Sequence, residues 1–304
     1  YMPVPSASLV DLEAYVAKHA PAYKDPKSIN WWTNRDKYIV SYLKSLFGDK
    51  ATKDNDFAYS WLAKFDEGMN ITAFAAFEEM HKGNVEGFFA WAYNPACSAS
   101  NANKIRKAMS KLQWMVCVDI FDTETASFWR GPGMKPEEIN TEVFLLPAAT
   151  HFEKEGSTTS TARVLQWKYK AVEPMGESMA DYDIMNKLYF RVRRLYLQGG
   201  VFPEPVINLM WNYGEKGPDG EIKSVDVHSI AKDINGFYLE DIYDMSTNPP
   251  VLIGKKGDQV PNFTFLQADG TTSCGNWLYC GSYPQVDGKP VNMAQRRDRS
   301  DPTG

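Results

Sequence analysis

Long apolar runs and clustered cysteines are both missing from this sequence of 304 residues. No stretch of about 18 apolar residues occurs, so the sequence predicts no membrane-spanning helix. The first residues contain neither a basic segment nor an apolar one, so they do not read as a signal peptide. Four cysteines in a chain of this length do not make a disulfide-rich scaffold.

Motifs of the common metal, nucleotide and hydrolase sites are also missing. The cysteines Cys97, Cys117, Cys274 and Cys280 contain no C-x2-C pair, and the four histidines show neither H-x3-H nor H-E-x-x-H spacing. The sequence therefore predicts no iron–sulfur or structural zinc site in this chain, and it places Cys117 in a core. The lack of G-x-S-x-G, G-x-G-x-x-G and G-x-x-x-x-G-K-[ST] argues against a serine hydrolase, an ordinary nicotinamide site and a P-loop.

The composition is that of a folded globular protein, with 43% hydrophobic and 23% charged residues. The length fits one large domain or two. A net charge of −5 argues against nucleic acid as the main partner. It does not argue against a small anionic cofactor, because local backbone dipoles can bind one.

Residues 1–84 are predicted to be a helical lead-in. Apolar residues at helical spacing predict a helix that is capped by Ser8 and ends before Pro21, and further helices over 37–47, 57–65 and 71–81. The last of these is followed by Lys82 and Gly83, a basic residue and a glycine of the kind that ends helices.

Residues 85–200 are predicted to form an α/β region. Short apolar runs at 85–92, 114–120 and 142–146 predict three strands, the first two of them buried, with a helix over 99–112 and a short helix from 123 to 128 between them. This β-α-β-α-β order is typical of a three-layer αβα fold with a mostly parallel, dinucleotide-binding-like sheet. A polar loop over 151–163 and a helix over 181–197 are predicted to follow.

Residues 201–304 are predicted to be a mixed helical and irregular connecting region. Helical spacing is present over 205–213 and 225–234. After residue 246 the chain is rich in Gly, Pro, Asn and Asp and shows little periodicity. This part reads as an irregular connecting region or an incomplete domain.

The loops that follow the predicted strands form the candidate site, because ligands of open parallel sheets bind at the carboxyl ends of the strands. The turn Tyr93-Asn94-Pro95 leads into a predicted helix, where free N–H groups can bind an anion. Asp119 closes the second strand. A carboxylate at such a position can accept hydrogen bonds from a ribose or from the N–H edge of guanine.

A structural role for the second loop is the alternative interpretation. Asp122 or Thr123 can cap the short helix that is predicted next, with Asp119 merely solvated. The sequence spacing alone does not decide between a ligand site and a helix cap.

Several stretches of the chain carry a family pattern. The segments GFFAWAYNPACSASNANKIRKAMSKLQWMVCVDIFDTETASFWRGPG and TEVFLLPAATHFEKEGSTTSTARVLQWKYKAVEP resemble the molybdopterin oxidoreductase family. The opening YMPVP…NWWTNRDKYIVSYLKSLFG, the connection FDTETASFWRGPG and the closing DGTTSCGNWLYCGSY…NMAQRRDRSDPTG are similar to the catalytic (alpha) subunits of tungsten- or molybdenum-dependent formate dehydrogenases. The resemblance extends over nearly all 304 residues.

The resemblance implies that this chain helps to hold one dinucleotide of a bis-molybdopterin guanine dinucleotide cofactor with Mo or W. It assigns Tyr93, Asn94 and Pro95 to the first cofactor loop. The residues that it assigns to the second loop are Asp119, Thr123, Glu124 and Thr125. Glu142 stands where many relatives have Asp, and Gly156 lies in a glycine-containing loop after the third strand.

The resemblance also implies that the chain is an internal piece of a longer protein. An iron–sulfur domain and a Cys or selenocysteine metal ligand would precede it, and a further cofactor domain would follow. The implied partners are the rest of the catalytic subunit, an iron–sulfur beta subunit and a cytochrome subunit, with formate as the substrate. The implied location is the periplasm or a periplasm-facing membrane complex.

Two functions from different classes stay open at this point. The chain is either part of an enzyme that oxidises formate and passes electrons to iron–sulfur centres, or a cofactor-binding or structural domain without activity. The metal ligand separates them, because the redox chemistry requires it and this chain shows no motif for it. Another molybdopterin oxidoreductase, such as a nitrate or polysulfide reductase, is a further alternative.

Overall fold

The computed structural model of the chain describes residues 6–18, 24–160, 164–286 and 289–290. The α-helices in these ranges are α1 (Leu12–Ala17), α2 (Trp31–Phe47), α3 (Ala73–Lys82), α4 (Pro95–Ser98), α5 (Ala102–Met109), α6 (Asp181–Tyr196), α7 (Glu204–Ile207) and α8 (Val227–Asn235). The strands are β1 (Gly87–Trp91), β2 (Trp114–Asp119), β3 (Glu142–Pro147), β4 (Gly156–Ser160), β5 (Val164–Lys168), β6 (Gly214–Lys216), β7 (Ile222–Val225), β8 (Phe237–Tyr238), β9 (Ile242–Asp244), β10 (Val251–Gly254), β11 (Thr272–Ser273), β12 (Gln285–Val286) and β13 (Lys289–Pro290).

The chain divides into two compact units. The first unit comprises residues 1–67, 156–168 and 186–304, and the second unit comprises residues 68–155 and 169–185. This division differs from the segments 1–84, 85–200 and 201–304 that the sequence suggests. The limits of those three segments stay predictions.

The second unit contains a parallel three-stranded sheet in the order β1-β2-β3. Trp91 pairs with Val118, and Asp119 pairs with Pro147, so the three strands end near the same edge. The predicted parallel α/β arrangement is confirmed. The connection from β2 to β3 differs from the prediction, because it contains 3-10 turns at 128–130 and 136–138 in place of an α-helix.

Helices α3 and α5 cover one face of this sheet, and the start of α6 contacts the other, where Phe89 and Phe144 are each 44% exposed. Alternate strand residues such as Ala90, Met115 and Cys117 pack against α3 and α5 in one buried cluster. On the opposite face, Val118 packs with Ile184 at the start of α6. Because strand side chains alternate between faces, each short apolar run serves both layers. The α/β expectation is confirmed, and within this unit the second helical layer is limited to the start of α6.

The first unit is built around α2. Its residues Tyr38, Ile39, Val40 and Leu43 are buried in a cluster that also contains Trp277. Among the described residues, five small antiparallel sheets complete the unit: β4-β5, β6-β7, β8-β11, β9-β10 and β12-β13. None of the helices among the described residues is both long and apolar enough to cross a membrane.

The helix predictions hold where apolar spacing and an end signal coincide. The helix over 71–81 is α3, and Gly83 ends it with the left-handed backbone (φ 85°) that favours glycine. The helices over 181–197 and 225–234 are α6 and α8. The first helix, α1, is capped by Asp11 and not by Ser8.

Three local predictions are wrong. Residues 57–65 do not form a helix, because the chain makes 3-10 turns over 53–61 with left-handed backbone at Asp56, Phe57 and Ala58. A helix is predicted over 205–213, but only the four residues of α7 are helical there, and β6 follows. The predicted loop over 151–163 contains β4 of the β4-β5 hairpin, while 161–163 lie outside the described residues.

Candidate functional site

The candidate site lies at the carboxyl ends of β1, β2 and β3. Tyr93 and Asn94 follow β1, Asp119 ends β2, and the chain after Pro147 leaves β3. The Tyr93 side chain is 41% exposed, and Asn94 and Asp119 are half-buried. The structure therefore brings the first two predicted loops to one edge of one sheet, as expected for a parallel arrangement.

The Asn94 side chain joins the first loop to the second. Its Oδ1 accepts hydrogen bonds from the backbone N–H of Thr125 (3.1 Å) and from the Thr125 hydroxyl (2.7 Å). Its Nδ2 donates to Glu124 Oε2 (2.6 Å). The hydrogen bond from Asn94 lowers the pKa of the Glu124 carboxyl. Asn94 and Glu124 are thus joined by a hydrogen bond, and both the oxygen and the nitrogen of the Asn94 amide already have hydrogen-bond partners within the chain.

The buried hydroxyl of Thr125 completes this link. Thr125 is 1% exposed, and its Oγ1 accepts a hydrogen bond from the backbone N–H of Ala96 (3.0 Å). The N–H groups of Cys97 and Ser98 donate to the Asn94 carbonyl. These N–H groups are consequently not free for an anion, and the four-residue helix α4 offers none of the anion-binding capacity that the sequence suggested.

Asp119 keeps one carboxylate oxygen available. Its Oδ1 accepts a hydrogen bond from the N–H of Ile120 (2.8 Å), and its carbonyl accepts one from Ala148 (3.0 Å). No described residue donates a hydrogen bond to Oδ2. Asp122, which the alternative interpretation made a helix cap, instead accepts from the Ser127 hydroxyl. No helix starts at Thr123 for either residue to cap.

One predicted site residue, Glu142, lies away from this group, and another, Gly156, belongs to the other unit. Glu142 begins β3 and pairs with Trp114, so it lies at the amino edge of the sheet. A strand rises about 3.3 Å per residue, which puts Glu142 roughly 16 Å from the carboxyl end of β3. Gly156 begins β4 in the first unit, with left-handed backbone (φ 145°) that favours glycine. The cofactor roles assigned to Glu142 and Gly156 stay predictions.

A second network near the carboxyl end of β1 was not anticipated from the sequence. Asp181 accepts a hydrogen bond from Trp91 Nε1 (3.1 Å) and pairs with Lys154. Burial alone would raise the pKa of Asp181, but the hydrogen bonds from Lys154 and Trp91 outweigh it and the pKa is lowered. An aspartate at a helix start reads as an ordinary first-turn residue, so no spacing signalled this contact.

The cysteines contribute no metal site that the structure describes. Cys117 is buried in the core as predicted, and burial raises its thiol pKa to about 11. Cys274 and Cys280 are also buried, and Cys97 is exposed. Among the described residues, no group of three or more His, Cys, Asp and Glu side chains could hold a metal ion.

Comparison with known proteins identifies the relatives of the chain. It is 43% identical over 303 residues, 99% of its length, to the formate dehydrogenase subunit alpha of Megalodesulfovibrio gigas. It is 37% identical over its whole length to the formate dehydrogenase-O major subunit of Escherichia coli. The chain is homologous to a segment of formate dehydrogenase alpha and major subunits. It spans 28% and 29% of the length of these two relatives.

More distant matches are partial. The assimilatory nitrate reductase catalytic subunit of Bacillus subtilis is 29% identical over only 38% of the chain. No protein-family model matches the chain. Acetylene hydratase from Pelobacter acetylenicus is a structural match at 18% identity and a TM-score of 0.33, covering 64% of this chain and 24% of that one. A similarity that weak carries no argument about the site. The sequence relatives therefore favour formate dehydrogenases over nitrate reductases.

Proposed function

We propose that this chain is part of the catalytic subunit of a formate dehydrogenase and helps to hold one molybdopterin guanine dinucleotide of a molybdenum or tungsten cofactor. The observation that carries the proposal is the 43% identity to a formate dehydrogenase alpha subunit over 99% of the chain. Oxidation of formate to carbon dioxide releases one proton and two electrons. When bound, the metal cofactor supplies that two-electron chemistry.

The strand-end group, which consists of Tyr93, Asn94, Asp119, Glu124 and Thr125, has a donor and acceptor set that fits guanine. The edge of guanine presents N–H donors, which carboxylate oxygens accept. Asp119 has a free oxygen at the end of β2, and the exposed Glu124 lies on the following loop. The exposed ring of Tyr93 adds an aromatic surface at the same edge. Asn94 and Thr125 position these loops through their own hydrogen bonds.

The role that we propose for this chain is binding. In the enzyme, the rest of the catalytic subunit would supply the metal ligand, and iron–sulfur centres in that subunit and in a beta subunit would accept the electrons. A cytochrome subunit and a periplasmic location belong to the same proposal. They rest on the resemblance to formate dehydrogenases.

The test is cofactor loading of the complete enzyme with Asp119 replaced. A hydrogen bond to a charged group contributes roughly 1.5–3 kcal/mol, and about 1.4 kcal/mol corresponds to a tenfold change in affinity. Asp119→Ala should therefore weaken cofactor retention by roughly ten- to hundredfold. Asp119→Asn should do similar harm, because it turns an acceptor into a donor that faces N–H groups.

The control replaces Asp122, a neighbouring carboxylate whose contacts are with other residues. Asp122→Ala removes the partner of Ser127 and Arg130 and should leave pterin content unchanged. Pterin and metal content are measured on purified enzyme, and formate-dependent viologen reduction is measured beside them. Normal pterin content in both Asp119 variants would show that Asp119 is structural. An enzyme that reduces no viologen with formate, yet has full cofactor, would contradict the proposed substrate.

A further inference from the structure

A cavity of about 850 Å³ lies within the first unit, and none of its lining residues belongs to the strand-end group. Its walls come from the end of α2, the segment 207–213, α8, the segment 237–239 and the turn at 256–257. Small-molecule sites in proteins have volumes of roughly 300–1,000 Å³. The cavity is large enough for a ligand with one or two rings.

The walls of this cavity are largely apolar. The apolar side chains among them are Phe47, Ile207, Leu209, Met210, Phe237 and Leu239. One buried carboxylate in the wall is already satisfied: Asp233 Oδ2 accepts hydrogen bonds from the hydroxyls of Ser45 and Tyr213, both at 2.9 Å. Its main effect is to fix the wall, because both of its partners also line the cavity.

Positive charge exceeds negative charge around the cavity. Five of the lining side chains are cationic, namely Lys44, Lys50, Arg193, Lys232 and Lys256, whereas only Asp49 and Asp233 are carboxylates. This local excess contrasts with the net charge of −5 for the whole chain. A cleft lined by one sign of charge attracts ligands of the opposite sign.

Three of these cations have no competing partner among the residues that the structure describes. Lys44 donates to the carbonyl of Ala51 (3.1 Å), and Arg193 donates to the carbonyl of Ile207. By contrast, the ammonium groups of Lys50, Lys232 and Lys256 make neither an ion pair nor a hydrogen bond within the described ranges. Their charges are available to a bound anion.

We propose that this cavity binds a small organic anion whose ring or other apolar body packs against Phe237 and Met210. Its carboxylate, sulfonate or phosphate group pairs with Lys232 and Lys256. The two requirements come from different features of the same cavity, the apolar wall and the unpaired lysines. The cavity shares no lining residue with the site proposed above for the cofactor, so either proposal can fail without the other.

The probe is naphthalene-2-sulfonate, titrated into the full 304-residue chain by isothermal calorimetry. Partly exposed charge pairs each contribute a several-fold effect on affinity. The double variant Lys232→Ala/Lys256→Ala should therefore weaken binding by roughly tenfold. The neutral naphthalene-2-sulfonamide keeps the ring system and removes the charge. The sulfonamide should bind the unmodified chain more weakly than the sulfonate does. Its own affinity should be the same for the unmodified chain and for the double variant.

The matched control removes two lysines that do not line the cavity. Lys223→Ala/Lys255→Ala makes the same change in net charge at exposed positions of the same unit. It should leave the affinity for the sulfonate within about twofold, a difference well below the tenfold step of 1.4 kcal/mol. Equal weakening by the two double variants would overturn the proposal, because it would show general charge attraction. Unchanged binding in the Lys232→Ala/Lys256→Ala variant would also overturn it.

A single exposed substitution keeps the test decisive if the double variant folds poorly. Lys256 is exposed, so Lys256→Glu should leave the fold intact while placing a like charge beside the anion. We expect it to weaken sulfonate binding at least as strongly as Lys256→Ala, with an unchanged circular dichroism spectrum. Equal affinity of Lys256→Glu and the unmodified chain would overturn the proposal.

Discussion

The hydroxyl group of Thr125 joins the two loops of the candidate site, and its removal should lower the free energy of unfolding. Thr125→Val keeps the size and shape of the side chain but deletes the bond to Asn94 Oδ1 and the acceptor for the N–H of Ala96. Ala96 is 2% exposed, so its N–H would be left buried and unpaired. An unpaired buried donor costs about 1–3 kcal/mol, and the lost bond to Asn94 adds about 1 kcal/mol.

We therefore expect Thr125→Val to lower the free energy of unfolding by about 2–4 kcal/mol. Thr125→Ser is the matched control, because it keeps the hydroxyl and loses only a methyl group, worth about 1 kcal/mol. Urea unfolding of both variants gives the difference. Hydrogen exchange of the peptide containing Ala96 should speed up in Thr125→Val alone. If valine destabilises the chain no more than serine does, the hydrogen-bond argument is refuted.

Four further outcomes follow from the same structure. Tyr238→Phe should raise stability in urea unfolding by about 1 kcal/mol, because the buried Tyr238 hydroxyl has no partner among the described residues; a loss would show a hidden contact. The pKa of Asp181 is lowered in the folded chain, so its carboxylate stabilises the fold above its ordinary pKa of 3.8, and this stabilisation is lost as pH falls through the folded value. Asp181→Asn should therefore make the melting temperature fall less steeply below pH 3.8. An equally steep fall would contradict this. Burial raises the pKa of Asp233, so its charge destabilises the fold at neutral pH. The Asp233→Asn variant should have a melting temperature no lower than that of the unmodified chain at pH 7, and the difference between the two should be smaller near pH 4. Elemental analysis of the purified 304-residue chain should find no stoichiometric iron, molybdenum or tungsten, and any of the three at one equivalent would refute this.

The sheet was predictable from the sequence because its signal is local. Each strand of the second unit is a short apolar run that ends at a polar or turn-forming residue, such as Asp119 or Pro147. Parallel pairing follows from the helical connection between the first two strands. The β4-β5 hairpin was missed because its first strand, Gly156–Ser160, is polar and mostly exposed and shows no apolar run.

The failed helix at 57–65 shows a different limit. Apolar residues there recur at spacings that a helix also allows, so periodicity alone favours a helix. The side chain of Asn55 decides otherwise, because its Oδ1 accepts hydrogen bonds from the N–H groups of Thr52 and Ala58. Such side-chain to backbone bonds compete with helix formation and hold a turn.

The candidate site was predictable in position but not in its internal contacts. The strand-end rule located Tyr93, Asn94 and Asp119 at one edge. It could not tell that the Asn94 amide binds Glu124 and Thr125, because those partners are about thirty positions away in the sequence. The separation of Glu142 from the group follows from the strand direction, which the sequence also contained.

The second unit interrupts the first in the linear chain, and this order has a consequence for synthesis on the ribosome. All segments of the second unit have been translated once residue 185 is made, whereas the first unit still lacks residues 186–304. The core around α2 includes Trp277 and Cys280, so it cannot close until these residues emerge from the ribosome. Domains generally fold as units during synthesis. The nascent chain should therefore carry a folded parallel sheet while the apolar face of α2, which is made earlier, still lacks the residues that bury it.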